Sequence, residues 1–123
     1  MKQVLFILLL FISFQGFSQK SVKVQEIGLE VMTKDLGQMD WYDAIKTCDS
    51  LGNGWRLPTI DELNKMHNYK NKIGGFEDDF YWSTTESDYG DDYVDVQYFG
   101  DDWEMNGAGK SYYSYARAVR DLK

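Results

Sequence analysis

Apolar positions in this chain follow a helical period twice and then a strand period. Trp41, Ala44, Ile45, Cys48 and Leu51 fall at i, i+3, i+4, i+7 and i+10, one apolar stripe on a helix that starts near Asp40. Gly52 and Gly54 follow it, where a left-handed C-cap carries no Cβ penalty. Thr59-Ile-Asp-Glu62 has the capping-box spacing that opens a second helix, about residues 60–69, with Ile60, Leu63 and Met66 inward. Pro58 keeps Leu57 extended, so Trp55, Arg56 and Leu57 form a short structural knot between two helices. Residues 26–33 alternate apolar and polar as a first strand. Residues 80–85, 93–99 and 112–119 predict further strands, and 103–105 the return arm of a hairpin turning at 100–102. Residues 72–76 predict a helix break and loop, and 106–110 another turn. Strands and helices are segregated, so the predicted class is α+β.

The chain's start changes its expected address. Lys2, an apolar run over residues 4–14, and Gly16 and Ser18 ahead of Gln19 make residues 1–18 a secretory signal peptide. The run falls short of the ~20 residues that span a bilayer, and no membrane span is expected after cleavage. The protein is therefore expected to be exported: periplasmic, surface-located or secreted. Residues 19–25 read as a flexible leader and 26–123 as a single domain. A net charge of −7 argues against nucleic acid and anionic membranes as partners. Cys48 is the only cysteine, so no internal disulfide is expected, and its place on the apolar stripe predicts a buried thiol. His67, the only histidine, is expected on an exposed helix face without a metal role.

Several motifs together resemble the Lcl C-terminal domain family, a bacterial domain. They are Met39-Asp-Trp41 with Ala44 and Cys48, Gly52-Asn-Gly-Trp-Arg-Leu-Pro-Thr59 with Glu62-Leu63, Tyr81-Trp-Ser-Thr-Thr85, and Tyr115-Ala-Arg-Ala-Val-Arg120. The resemblance runs from about residue 27 to residue 120. It implies a C-type-lectin-like fold related to sulfatase-modifying enzymes: two helices packed on a small antiparallel sheet, long acidic loops, and paired N- and C-terminal strands. It implies an exported protein and no established reaction. Some members carry a second cysteine near the place of Ala118, which this chain lacks. The family's namesake is an adhesin for sulfated polysaccharides, a ligand class that an acidic chain repels.

Residues 73–109 contain eleven carboxylates and no Lys or Arg. Unscreened, these groups repel one another. One reading is a Ca²⁺ site built from Asp91, Asp95, Asp101 and Asp102, because Ca²⁺ takes several hard oxygen ligands. The other is a solvated acidic rim. Aromatic residues in the same loops suit stacking on sugar rings or docking a protein. The candidate ligand residues are therefore Asp91, Asp92, Tyr93, Asp95, Asp101, Asp102 and Trp103. Structural roles are expected for Trp41, Cys48, Trp55, Arg56, Leu57, Pro58, Glu62, Trp82, Arg117 and Arg120. On a regular last strand Arg117 and Arg120 would face opposite sides. No spacing pairs a nucleophile with a base. The expectation is a non-enzymatic binding or adhesion module for a glycan or protein. The alternatives are an enzyme related to the formylglycine-generating type and a structural part of an envelope assembly.

Overall fold

A computed structural model describes residues 20–102 and 104–123, with the backbone alone of Glu104. The expected signal peptide, residues 1–18, lies outside the described residues. The strands are β1 (Ser21–Val24), β2 (Leu29–Met32), β3 (Gly37–Met39), β4 (Phe80–Glu86), β5 (Tyr93–Tyr98), β6 (Glu104–Gly109), β7 (Ser114–Ala116) and β8 (Val119–Asp121). The helices are α1 (Trp41–Ser50), α2 (Ile60–Asn68) and the single turn α3 (Lys70–Ile73). Two sheets form, β1-β2-β8 and β3-β7-β4-β5-β6. Among the described residues only the contact between β4 and β7 is parallel.

The class is α+β, as the segregated pattern predicts, but the helices do not share one small sheet. Side chains alternate across a strand, and neighbours on β4 and β7 serve two different cores. Tyr81 packs with Leu63 and Met66 of α2, with Phe99, and with Val24, Leu29, Val31 and Val119 of the small sheet. Trp82 and Ala116 pack with Ala44 and Cys48 of α1, with Leu57, and with Val94 and Val96. The larger sheet thus separates the two helices. Burying each such large side chain contributes roughly 1.5–3 kcal/mol.

Four local expectations need correction. Residues 21–24 are not a flexible leader. They pair with β2 from Ser21↔Met32 to Val24↔Leu29, because Val22 and Val24 present one apolar edge and Val24 is fully buried. The first expected strand is shorter, since residues 25–27 form a 3-10 turn that exits at Gly28. Residues 106–109 are strand, not turn: backbone bonds to β5 override the turn preference of Gly107 and Gly109. The last strand breaks at Arg117 and Ala118 as the chain passes from the larger sheet to the smaller one. Arg117 is fully enclosed, whereas Arg120 is about one-third exposed over the Trp55 ring. The expected pairing of terminal segments holds with β2 as the partner of β8, and β1 lies outside both.

The knot between α1 and α2 is built as its sequence predicts. Asp40 caps α1 by accepting from the Asp43 N–H, and Thr59 and Glu62 make a reciprocal capping box on α2. Gly52, Asn53 and Gly54 all take positive φ at the reversal. Arg56 exchanges two 2.9 Å backbone bonds with Val119 and grips Glu62 at 2.7 and 2.9 Å, with Asp121 at 2.7 Å on its other side. Leu57 and Pro58 are buried, and the Pro58 carbonyl accepts from Thr84. Trp55 is half-buried against the second core.

This knot is sensitive to acid. Burial works to raise the Glu62 pKa, but bonds from Arg56 and the Thr59 N–H outweigh it and leave the carboxyl below its ordinary value. Bonds from Arg120 and then Ser21 lower Glu30 in the same direction. A lowered folded value means the unfolded chain binds protons first. The stabilisation is therefore complete above the ordinary carboxylate range and disappears as pH falls through the lowered values. Glu62→Gln is expected to lose roughly 1.5–3 kcal/mol at neutral pH. Urea melts across the acid range should show a shallower decline for this variant than for the wild type. Parallel declines would remove Glu62 from the account.

Candidate functional site

Backbone geometry decides where the acidic candidates go. Asp91 and Asp92 sit in the turn before β5, and Asp101 and Asp102 in the turn after it. β5 has six residues, so at about 3.3 Å per residue the two pairs lie some ~20 Å apart. The strand therefore holds Asp91 at one end and Asp101 and Asp102 at the other, with Asp95 between them, and does not gather the four residues of the Ca²⁺ reading. Among the described residues no three His, Cys, Asp or Glu side chains converge on a metal position. Asp101 meets Lys70 at 3.3 Å, in full solvent. Trp103 lies outside the described residues. His67 is half-buried rather than exposed, with Nε2 at 2.9 Å from the Gly100 carbonyl oxygen and its ring edge-on to Phe99.

The other end of the hairpin assembles a different surface. Residues 93 and 95 of β5 stand opposite Gly109 and Gly107 of β6, so all four share one face of the sheet. The two glycines leave that face without side chains, and tyrosine rings occupy the space. A Cβ on Gly107 would stand 2.5 Å from Tyr89 and 2.6 Å from the Ser87 hydroxyl. One on Gly109 would stand 2.9 Å from Tyr112 and 3.9 Å from Tyr93. Tyr89 and Tyr93 meet edge to face at 6.3 Å. The result is a row of three rings on a glycine floor, and they remain 77%, 40% and 70% exposed for Tyr89, Tyr93 and Tyr112. Tyr89, Tyr93, Asn106 and Gly107 line an open depression of about 440 Å³.

Charge at this end is unbalanced. Lys110 is the nearest base in sequence, and its ammonium is already engaged. It donates to the Asp91 carbonyl at 2.5 Å, lies 3.4 Å from Glu86, and sits 4.7 Å above the Trp41 ring. Asp95 accepts from the Ser87 hydroxyl, and burial, then the charge of Asp88, holds its carboxyl above the usual carboxylate range. Burial and a like charge both disfavour the ionised carboxyl, and no cation is among the causes acting on it.

A second groove, about 500 Å³, lies among Lys23, Glu30, Asn53, Gly54, Arg120 and Asp121. Its main charges satisfy each other: Arg120 bonds Glu30 at 2.9 Å and Asp121 bonds Arg56 at 2.7 Å. Although larger, it offers a ligand no aromatic floor.

Of the expected ligand residues, the structure brings Tyr93 and Asp95 together and leaves Asp91 and Asp92 at their rim. Asp101 and Asp102 are elsewhere. Tyr89 and Tyr112 are among the loop aromatics expected to stack on a ligand, whereas Gly107 and Gly109 were absent from that expectation. Their signal is a glycine at every second position of residues 107–109, which supplies a bare strand face when the segment is read as strand.

Cys48 is fully buried in the second core, and burial pushes its thiol up to about 12. Such a thiol is a poor nucleophile. Trp41 and Trp82 act structurally, donating to the Ser83 carbonyl at 2.9 Å and the Met39 carbonyl at 2.7 Å. Among the described residues no helix is long and apolar enough to cross a membrane.

No curated protein matches this chain. The family model of the Lcl C-terminal domain matches residues 19–120. That span includes α1, α2 and α3, the Arg56 knot and the tyrosine row, and the chain belongs to the Lcl C-terminal domain family.

Proposed function

We propose that this protein is an exported, non-enzymatic binding module that holds a glycan chain along the row Tyr89, Tyr93 and Tyr112. One observation carries the reading: three exposed rings are seated on glycines instead of being turned into a core. Large exposed apolar surfaces on a small domain mark interaction sites. Flat tyrosine faces with a hydroxyl at one end suit a sugar ring, which is apolar on its face and polar at its edge. Export is supported by the signal-type segment at residues 1–18. The non-enzymatic assignment is supported by the buried thiol of Cys48 and the engaged imidazole of His67. The pairing of β2 with β8 supports placing the fold among C-type-lectin-like domains.

A glycan array probed with the purified protein tests the reading. Tyr89→Ala and Tyr112→Ala are each expected to cost about 1–2 kcal/mol of binding, roughly five- to thirtyfold in Kd. Because both rings are exposed, the unfolding free energy should stay within about 0.5 kcal/mol of wild type. Absence of binding across the array, with a correctly folded protein, would sink the reading.

A further inference from the structure

The row's chemistry constrains its ligand further. Asp95 stands opposite Gly107 on the face that carries Tyr93, with Ser87 and Asp88 beside it. The lining of the depression, Tyr89, Tyr93, Asn106 and Gly107, carries no charge of either sign, and Asp95 adjoins it as the cross-strand partner of Gly107. Lys110, the next residue after Gly109, spends its ammonium on the Asp91 carbonyl, Glu86 and the Trp41 ring. The site therefore offers tyrosine faces and an unneutralised carboxylate together. Both attract the same group: an ammonium is drawn to the π-face of tyrosine and to a carboxylate. Shape separates two sources of that group. A cage for a single lysine side chain needs rings on several sides. Here the rings run along one open face, which suits an extended chain of sugar rings.

We propose that the row selects an amine-bearing glycan, a de-N-acetylated hexosamine chain, over neutral, N-acetylated and sulfated ones. This rests on the binding-module reading above. Sugar rings lie on Tyr89, Tyr93 and Tyr112, and a ring ammonium points to Asp95 and Asp88. A sulfated chain meets those carboxylates with like charge and is excluded.

Calorimetric titration of the purified protein tests this with five probes: a glucosamine hexamer, an N-acetylglucosamine hexamer, cellohexaose, a heparin fragment and hexalysine. The glucosamine hexamer should bind tightest, and its affinity should fall as salt rises. Asp95→Asn should weaken it by about tenfold, one charge-assisted contact, and should weaken cellohexaose, which has no ammonium, by much less. Equal affinity for the acetylated and free-amine hexamers, or an Asp95→Asn variant that binds glucosamine as wild type does, overturns the amine selectivity and leaves the tyrosine row standing. Tightest binding to heparin also overturns it. Binding of hexalysine with no saccharide bound overturns this proposal and the glycan reading together, in favour of a protein partner. No binding to any probe overturns both.

Discussion

Replacing Arg117 with Met is expected to destabilise the protein by about 3–5 kcal/mol, because it strands a buried carboxylate. Arg117 is fully buried, and Asp35 is only 12% exposed. The guanidinium donates from Nε to Asp35 at 2.8 Å, with Nη2 at 2.7 Å from the same oxygen. Nη1 donates to the Met32 carbonyl at 2.7 Å and the Gly74 carbonyl at 3.0 Å. The Phe76 ring lies 3.9 Å below. Asp35 also accepts from the Tyr81 hydroxyl at 2.7 Å, and that hydroxyl accepts from the Glu77 N–H at 2.8 Å. One side chain thus ties the end of β2, the loop after α3 and the start of β4. For a domain of this size the loss should lower Tm by at least ~12 °C. Arg117→Lys should rescue less than half of it, since one ammonium cannot reproduce a planar fork with donors in three directions. Adding Asp35→Asn to Arg117→Met should recover part of the loss by removing the stranded charge. A loss below about 1 kcal/mol for Arg117→Met would show that water reaches Asp35, and the tie would be discounted.

The same junction yields a matched pair of glycine variants. Gly74 and Gly75 both have positive φ, 84° and 76°. A Cβ on Gly74 meets nothing within 4 Å, but its φ of 84° and ψ of 164° lie in a region nearly exclusive to glycine, so Gly74→Ala should cost backbone strain alone, about 1–3 kcal/mol. A Cβ on Gly75 would stand 2.4 Å from the Thr33 carbonyl oxygen and 3.4 Å from the Arg117 guanidinium. Backbone cannot yield as a side chain can, so overpacking adds about 1–3 kcal/mol to the strain of a positive φ at Gly75. Gly75→Ala should therefore unfold at clearly lower urea than Gly74→Ala. Equal midpoints would mean that the loop shifts freely away from Thr33, and the close approach would hold no energetic weight. If Gly75→Ala acts through Arg117, the two losses will not add in the double variant.

Both predictions concern contacts that no spacing announces. Arg117 and Asp35 are separated by 82 positions, and nothing local distinguishes Arg117 from Arg120. An alternating strand rule places one of the two arginines inward without saying which, and the break at residues 117–118 then removes the rule altogether. The acidic candidates do not gather into one group for a related reason. Composition shows that carboxylates are abundant between residues 73 and 109, but a hairpin's direction decides which ends meet. Asp91 and Asp101 are ten positions apart in sequence and lie at opposite ends of one strand. Gly107 and Gly109 were read as turn because glycine's local preference is for turns, whereas six residues of ladder bonding to β5 hold them extended.

What the sequence determined by itself is everything that depends on neighbours within about one turn. The stripe Trp41, Ala44, Cys48 and its cap at Asp40, the reversal at Gly52–Gly54, the capping box of Thr59 and Glu62, and the strand through Tyr81 and Trp82 are fixed by side-chain period and local hydrogen bonding. The buried thiol of Cys48 follows from the same stripe. Tertiary structure alone decided which faces meet: α1 and α2 on opposite sides of the larger sheet, Arg117 sealed over Asp35, and Tyr89, Tyr93 and Tyr112 laid on two glycines. The reason is physical. Helix caps and periods act over a few ångströms of contiguous chain, while a binding face is made by side chains whose approach depends on strand order and register, and those are set by the packing of the whole domain.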